Sequence, residues 1–189
     1  MRRLLPLVLL FASCATSSST SPNVVRITNA GENADCREGS ANQRSQPCRL
    51  NVSQETSAVN QTIDAWHLAA AHADEARYFD LMTPDAIFLG TDATERWDKS
   101  AFQAFAHPYF AKGTAWTFTP KSRHVMLDSD GNTAWFDEAL ASDSYGECRG
   151  TGVLRREGGK WRIAHYNLTI PIPNDLAKDF VARIRAQQH

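Results

Sequence analysis

The chain has 189 residues, 42% of them hydrophobic, and its 20 Lys and Arg nearly balance 21 Asp and Glu for a formal charge of −1. That balance, with no run of basic residues, argues against a nucleic-acid-binding surface, and the apolar content is enough for the core of one ordinary domain. No internal repeat, phosphate-binding glycine loop or Gly-x-Ser-x-Gly element occurs.

The chain opens with the basic start Met1-Arg2-Arg3, an apolar run from Leu4 to Ala12, and Ser13-Cys14. This pattern reads as a secretory signal, too short to span a membrane as a helix. Phe11-Ala12-Ser13-Cys14 resembles a bacterial lipobox, with Phe11 where Leu is common. The resemblance implies residues 1–13 as a lipoprotein signal peptide and a lipid on Cys14. The protein would then be lipid-anchored and extracytoplasmic in the bacterial cell envelope. The competing reading is an ordinary signal cut near Ala12 to Ala15, with Cys14 incidental. Residues 14–54 are rich in Ser, Thr, Asn, Gln and Gly. They bury too little to offset their ordering entropy and read as a polar tether. Within it, Cys36 and Cys48 read as a disulfide in an oxidising compartment, or less readily as a metal pair lacking further ligands. Cys148, the remaining cysteine, reads as a small buried strand residue rather than a reactive thiol.

Residues 55–189 form the domain. Val59, Ile63, Trp66, Ala70 and Ala73 recur at helical spacing, predicting a helix from Ser57 to about Met82 that ends at Thr83-Pro84-Asp85. Ala86 to Leu89 reads as a short strand, and Gly90-Thr91-Asp92 as a turn. Asp98 is placed to cap a second helix carrying Phe102, Phe105 and Tyr109, broken or kinked near Pro108 and closed by Gly113. Trp116 to Leu127 alternates as a long strand. Asp130-Gly131-Asn132 and Glu157-Gly158-Gly159 read as hairpin turns joining strands 133–143, 148–157 and 160–170. Beyond Pro171-Ile172-Pro173, Asn174 can cap a final helix with Leu176, Phe180, Val181 and Ile184 on one side. The order is helices, then an antiparallel meander, then a helix: an α+β domain.

Four segments carry a family resemblance: Phe88-Leu89-Gly90-Thr91-Asp92 with Glu95 and Trp97; Ala134 to Glu138; Cys148 to Leu154; and Gly159 to Ile163 running into His165 to Thr169. The domain resembles the SnoaL-like branch of the nuclear transport factor 2-like superfamily. The resemblance implies a cone-shaped fold, a strongly curved antiparallel sheet packed on N-terminal helices. It also implies a pocket on the concave face and a convex face that often packs in a homodimer. Fold alone does not fix activity.

Strand alternation puts Thr133, Trp135, Asp137 and Ala139 on one face, opposite Phe136, Glu138 and Leu140. It puts Trp161, Ile163, His165 and Asn167 together on the last strand. We therefore expect Trp135, Asp137, His165 and Asn167 on the concave side, with Arg149 pairing with Asp137 or Glu138. On that placement Asp137 and His165 are candidate catalytic residues, and Trp97, Tyr109, Trp135, Arg149 and Asn167 are candidate pocket residues. Each has a structural reading beside the functional one: an ion pair, a satisfied core histidine, ordinary core aromatics. A carboxylate beside Arg149 would have its pKa lowered, which weakens the catalytic reading. No metal or cofactor is expected. His67 and His72 do not share a helix face, and Asp128 to Asn132 fits a hairpin turn better than a calcium loop. The expected role is binding of a small organic ligand. The alternatives are an isomerase, cyclase or dehydratase, and a dimerisation or assembly module.

Overall fold

The computed structural model describes residues 51–113 and 115–187. Cys14, the Cys36–Cys48 pair and the signal segment lie outside the described residues. Asn51 caps the first helix, α1 (Val52–Ala71), its side chain accepting from the Gln54 N–H at 3.1 Å, so the helix starts inside the segment read as tether. One face of α1, built from Val59, Ile63, Trp66, His67, Ala69 and Ala70, is buried against the sheet.

The single long helix expected to Met82 is instead two. Ala73 adopts a left-handed backbone conformation (φ 55°), which a non-glycine residue takes only at a cost of about 1–2 kcal/mol. The chain turns there into α2 (Glu75–Asp80), capped by Asp74 and burying Tyr78 and Phe79. Met82, Thr83, Pro84 and Asp85 do not end a helix but open the first strand, β1 (Met82–Leu89), which pairs with β2 (Arg96–Asp98). Asp98 caps α3 (Lys99–Ala111) through the Ala101 N–H at 2.8 Å, as expected. Pro108 sits inside that helix without ending it.

The remaining strands are β3 (Thr119–Leu127), β4 (Thr133–Ser142), β5 (Gly146–Glu157) and β6 (Lys160–Thr169). They form one six-stranded sheet in the order β2-β1-β6-β5-β4-β3. The sheet is mixed, since β1 runs parallel to β6. Both hairpin turns fall where expected, with Gly131, Gly158 and Gly159 at positive φ.

One irregularity decides which side chains face the helices. Val153 pairs with His165, and Leu154 pairs with Ile163, so Ala164 is an extra residue in β6. This bulge reverses the alternation of β6 along its length. Trp161 and Ile163 point inward before it, and Tyr166 and Leu168 point inward after it. The inner face is thus Ala134, Phe136, Glu138 and Leu140 of β4, Cys148, Gly150, Gly152 and Leu154 of β5, and the four inward residues of β6. The helix α4 (Ala177–Gln187) follows the sheet and buries none of its residues.

Candidate functional site

Two features occupy the inner face: a buried polar cluster, and an aromatic recess beside it. Glu138 lies in phase with Phe136 and Leu140 on β4 and is only 1% exposed. Its carboxylate accepts from three directions. His67 Nε2 lies 2.8 Å from one oxygen, the Tyr166 hydroxyl donates to the same oxygen at 3.0 Å, and Arg123 Nε donates to the other at 2.9 Å. Arg123 is itself fixed by Asp64 Oδ1 at 2.8 Å and Asn60 Oδ1 at 3.2 Å, both on α1. The cluster ties α1 to β3, β4 and β6.

Burial alone would raise the Glu138 pKa. Hydrogen bonds and charge from His67 and Arg123 more than offset it, and the pKa falls below the ordinary glutamate value. Tyr166 moves the other way: burial and the neighbouring carboxylate hold its phenol protonated well above the usual range. Glu138 is therefore an ionised acceptor with its lone pairs engaged, and Tyr166 is a donor.

The space for these side chains comes from β5. Gly150 lies opposite both Glu138 and Leu168, and a Cβ there would overlap the Tyr166 hydroxyl and come within 2.7 Å of Glu138 Oε1.

The recess has a volume of about 130 Å³. Phe88, Trp97, Phe102, Phe105, Trp116, Phe118 and Leu168 wall it, with Gly90, Thr91, Glu95 and Tyr145 completing the lining. The rings form an ordered stack. Phe88 and Phe102 are 3.9 Å apart and nearly parallel, Trp97 stacks on Phe105 at 4.7 Å, and Trp116 stacks on Phe102 at 5.9 Å. Pairing of Phe88 with Trp97 across β1 and β2 places both at one end, and α3 supplies Phe102 and Phe105. Glu95 is held in place: its Oε2 accepts from the Asp92 N–H at 3.1 Å, and its backbone oxygen accepts from Gly90 N–H at 2.9 Å. Phe118 lines the recess and also packs edge-on to His67, with centroids 6.4 Å apart. His67, Arg123 and Glu138 do not line the recess, so a ring separates the polar cluster from the open space.

The expected site residues divide across the sheet. Trp97 lines the recess. Tyr109 is 47% exposed and reaches the site only through Phe105, at 5.6 Å. Trp135 and Asp137 are on the outer face, not the concave one, because β4 buries the opposite phase. Asp137 there meets His124 Nδ1 at 3.2 Å. His165 and Asn167 are also on the outer face, turned there by the bulge at Ala164. Burial, with the charge of Arg96, lowers the His165 pKa. Arg149 is exposed and opposite Ala139, and the arginine that meets Glu138 is Arg123. Cys148 is buried, as expected of a small strand residue, and has no disulfide partner among the described residues. Among the described residues no cluster with metal-ligand character occurs.

Of this cluster, Glu138 was expected only as a possible partner of Arg149 and His67 only as a helix histidine that shares no face with His72, while Arg123 and Tyr166 had no expected role. The signal for Glu138 was present, since an acid in phase with Phe136 and Leu140 on a strand needs a buried partner.

Comparison with known proteins fits this architecture. The SnoaL-like domain family matches residues 59–173. Among solved structures, an NTF2-like protein of unknown function from Pseudomonas putida aligns with a TM-score of 0.55 at 20% identity, covering 66% of this chain and 92% of that one. A protein of the DUF3225 family from Pectobacterium atrosepticum, also of unknown function, aligns at 0.55 with 14% identity, covering 67% and 98%. A function-unknown protein from Mycobacterium tuberculosis aligns at 0.56 with 16% identity, covering 69% and 81%. At these identities the structures share the fold alone. No curated protein matches the chain. The chain belongs to the SnoaL-like domain family and has the NTF2-like α+β fold.

Proposed function

We propose that the domain binds a small, single-ring organic molecule in the aromatic recess, with a hydrogen-bond donor on that molecule directed to Glu95. The observation that carries this is the ring stack around an open volume of about 130 Å³. That volume is below the roughly 300–1,000 Å³ of drug-sized sites and near the about 150 Å³ of a cavity that takes benzene. Phenol and benzylamine are suitable probes, with benzoate as the anionic counterpart. Quenching of tryptophan fluorescence on titration reads binding through Trp97 and Trp116. Phe105→Ala should weaken phenol binding, and Glu95→Gln should weaken benzylamine more than phenol. Equal affinity for all three probes in both variants would remove the recess from consideration.

An acid–base reading is favoured by one observation, the His67–Glu138 pair one ring away from the recess. On that reading Phe118 moves aside and His67 exchanges a proton with the bound molecule. His67→Gln would then abolish turnover while leaving probe affinity in place. The Asp137 and His165 alternative places its chemistry on the outer face instead. Asp137→Asn tests it by the same comparison of turnover with affinity.

The basic start, the apolar run and Phe11-Ala12-Ser13-Cys14 support a lipid-anchored location in the bacterial envelope. Cys14→Ser should release the protein from membranes or leave an unprocessed precursor. A homodimer is supported by a row across the outer face, Met126, Trp135, Val153, His165 and Ile87, that no described element covers. Sedimentation velocity of wild type against Trp135→Lys tests it.

A further inference from the structure

α4 is an amphipathic helix with no close partner element among the described residues. Its residues are all unburied, and Leu176, Phe180, Val181 and Ile184, with Ile170 and Ile172 before it, are between 42% and 50% exposed. At about 100° per residue, Leu176, Phe180, Ile184 and Val181 fall within an arc of roughly 140°. Cations flank that arc on both sides: Arg183 next to Leu176, and Lys178 with Arg185 next to Val181. The only anion within the helix is Asp179, on the opposite side; Asp175 precedes the first turn.

This distribution selects among possible occupants. A face made to pack on protein carries apolar residues edged by either charge. A face edged on both sides by Lys and Arg lets the long basic side chains reach toward lipid phosphates while the apolar residues enter the acyl boundary. With 11 residues, α4 lies far short of a spanning helix, and no described helix is long and apolar enough to cross a membrane. Pro171 and Pro173 in the preceding arm give up two backbone donors, so Ile170 to Pro173 runs on from the end of β6 without strand pairing.

We propose that α4 is an interfacial helix, lying in the surface of a bilayer that contains anionic lipid. This contact is independent of the recess and of any lipid on Cys14.

The test uses the chain without residues 1–13 and carrying Cys14→Ser, so that neither the apolar run nor a lipid at that position contributes, in co-sedimentation with vesicles. The protein should pellet with phosphatidylglycerol–phosphatidylcholine vesicles and much less with phosphatidylcholine alone. Phe180→Ser combined with Ile184→Ser should reduce binding at least about tenfold. Neutralising Lys178, Arg183 or Arg185 to Gln should reduce it about fivefold each, and added salt should act in the same direction. The melting temperature of these variants should match the parent, because α4 contributes nothing to the buried core. No pelleting on anionic vesicles overturns the proposal, as does pelleting unchanged by the α4 substitutions. A dimer seen without vesicles and dissociated by Phe180→Ser, with no vesicle binding, also overturns it and assigns the face to a second copy of the chain.

Discussion

The Tyr166 hydroxyl reaches Glu138 at 3.0 Å across the position of Gly150, and the missing side chain there is what makes the contact possible. Three consecutive strands therefore cooperate in one hydrogen bond. β4 presents the acid, β5 supplies the gap, and β6 delivers the phenol only because a bulge at Ala164 has turned Tyr166 inward. Gly150→Ala should destabilise the domain by about 1–3 kcal/mol, since an added methyl must displace a packed hydroxyl and a carboxylate. Tyr166→Phe should cost about 1.5–3 kcal/mol, one net hydrogen bond to a charged acceptor. Chemical denaturation measures both.

Arg123 and Arg149 should behave oppositely. The Arg123 side chain is 7% exposed and bonds Glu138, Asp64 and Asn60. Arg123→Ala strips a buried carboxylate of its guanidinium partner and should cost about 3–5 kcal/mol. Arg149 is exposed on the outer face, and Arg149→Ala should stay within about 0.5 kcal/mol. A large loss at Arg149 with none at Arg123 would contradict the assignment of the buried pair.

Acid should unfold the protein partly through Glu138. Its folded pKa lies below the ordinary value, so the unfolded chain binds the proton more readily than the folded one. The stabilisation is complete above the ordinary carboxylate pKa, and it is lost as pH falls through the lower folded value. Glu138→Gln should lower stability at neutral pH by about 1–3 kcal/mol and flatten the acid limb of a melting-temperature profile. Asp85, Asp92 and Asp98 also have lowered pKa values, through Arg155 and Thr83, through Thr94, and through Ala101 and Ser100 respectively. A residual acid slope should therefore persist in the variant.

Cys148 should resist alkylation while the domain is folded. Its thiol is buried, and burial pushes its pKa up, so little thiolate forms. Peptide mapping after brief iodoacetamide treatment should find Cys148 unmodified in native protein and modified in denaturant. Rapid native labelling would mean that the β4–β5 region opens.

The fold was legible because the cues were local. Asp98 before an apolar helical run, glycines at the two hairpins, and the alternation of β4 and β5 each act within a few residues. What escaped was non-local or conformational. The parallel pairing of β1 with β6 joins opposite ends of the domain, and no local pattern records it. Ala73 gives no sign of a left-handed conformation, since alanine is the best helix former. The bulge at Ala164 reverses the phase of a strand that reads as regular, and so His165 and Asn167 were expected on the wrong face. For β4 the cause differs. Each face of β4 carries an acid, Asp137 or Glu138, and what buries Glu138 is compensation by His67 and Arg123 from elements distant in sequence.

The most direct test of the ligand proposal is a crystal structure of the domain soaked with phenol. The account predicts a ring bounded by Trp97, Phe102 and Phe118, with its hydroxyl toward Glu95, and an undisturbed Glu138–His67–Arg123 cluster behind Phe118. A recess left empty at saturating phenol, or a ring bound on the outer face against Asp137 and His165, would contradict it.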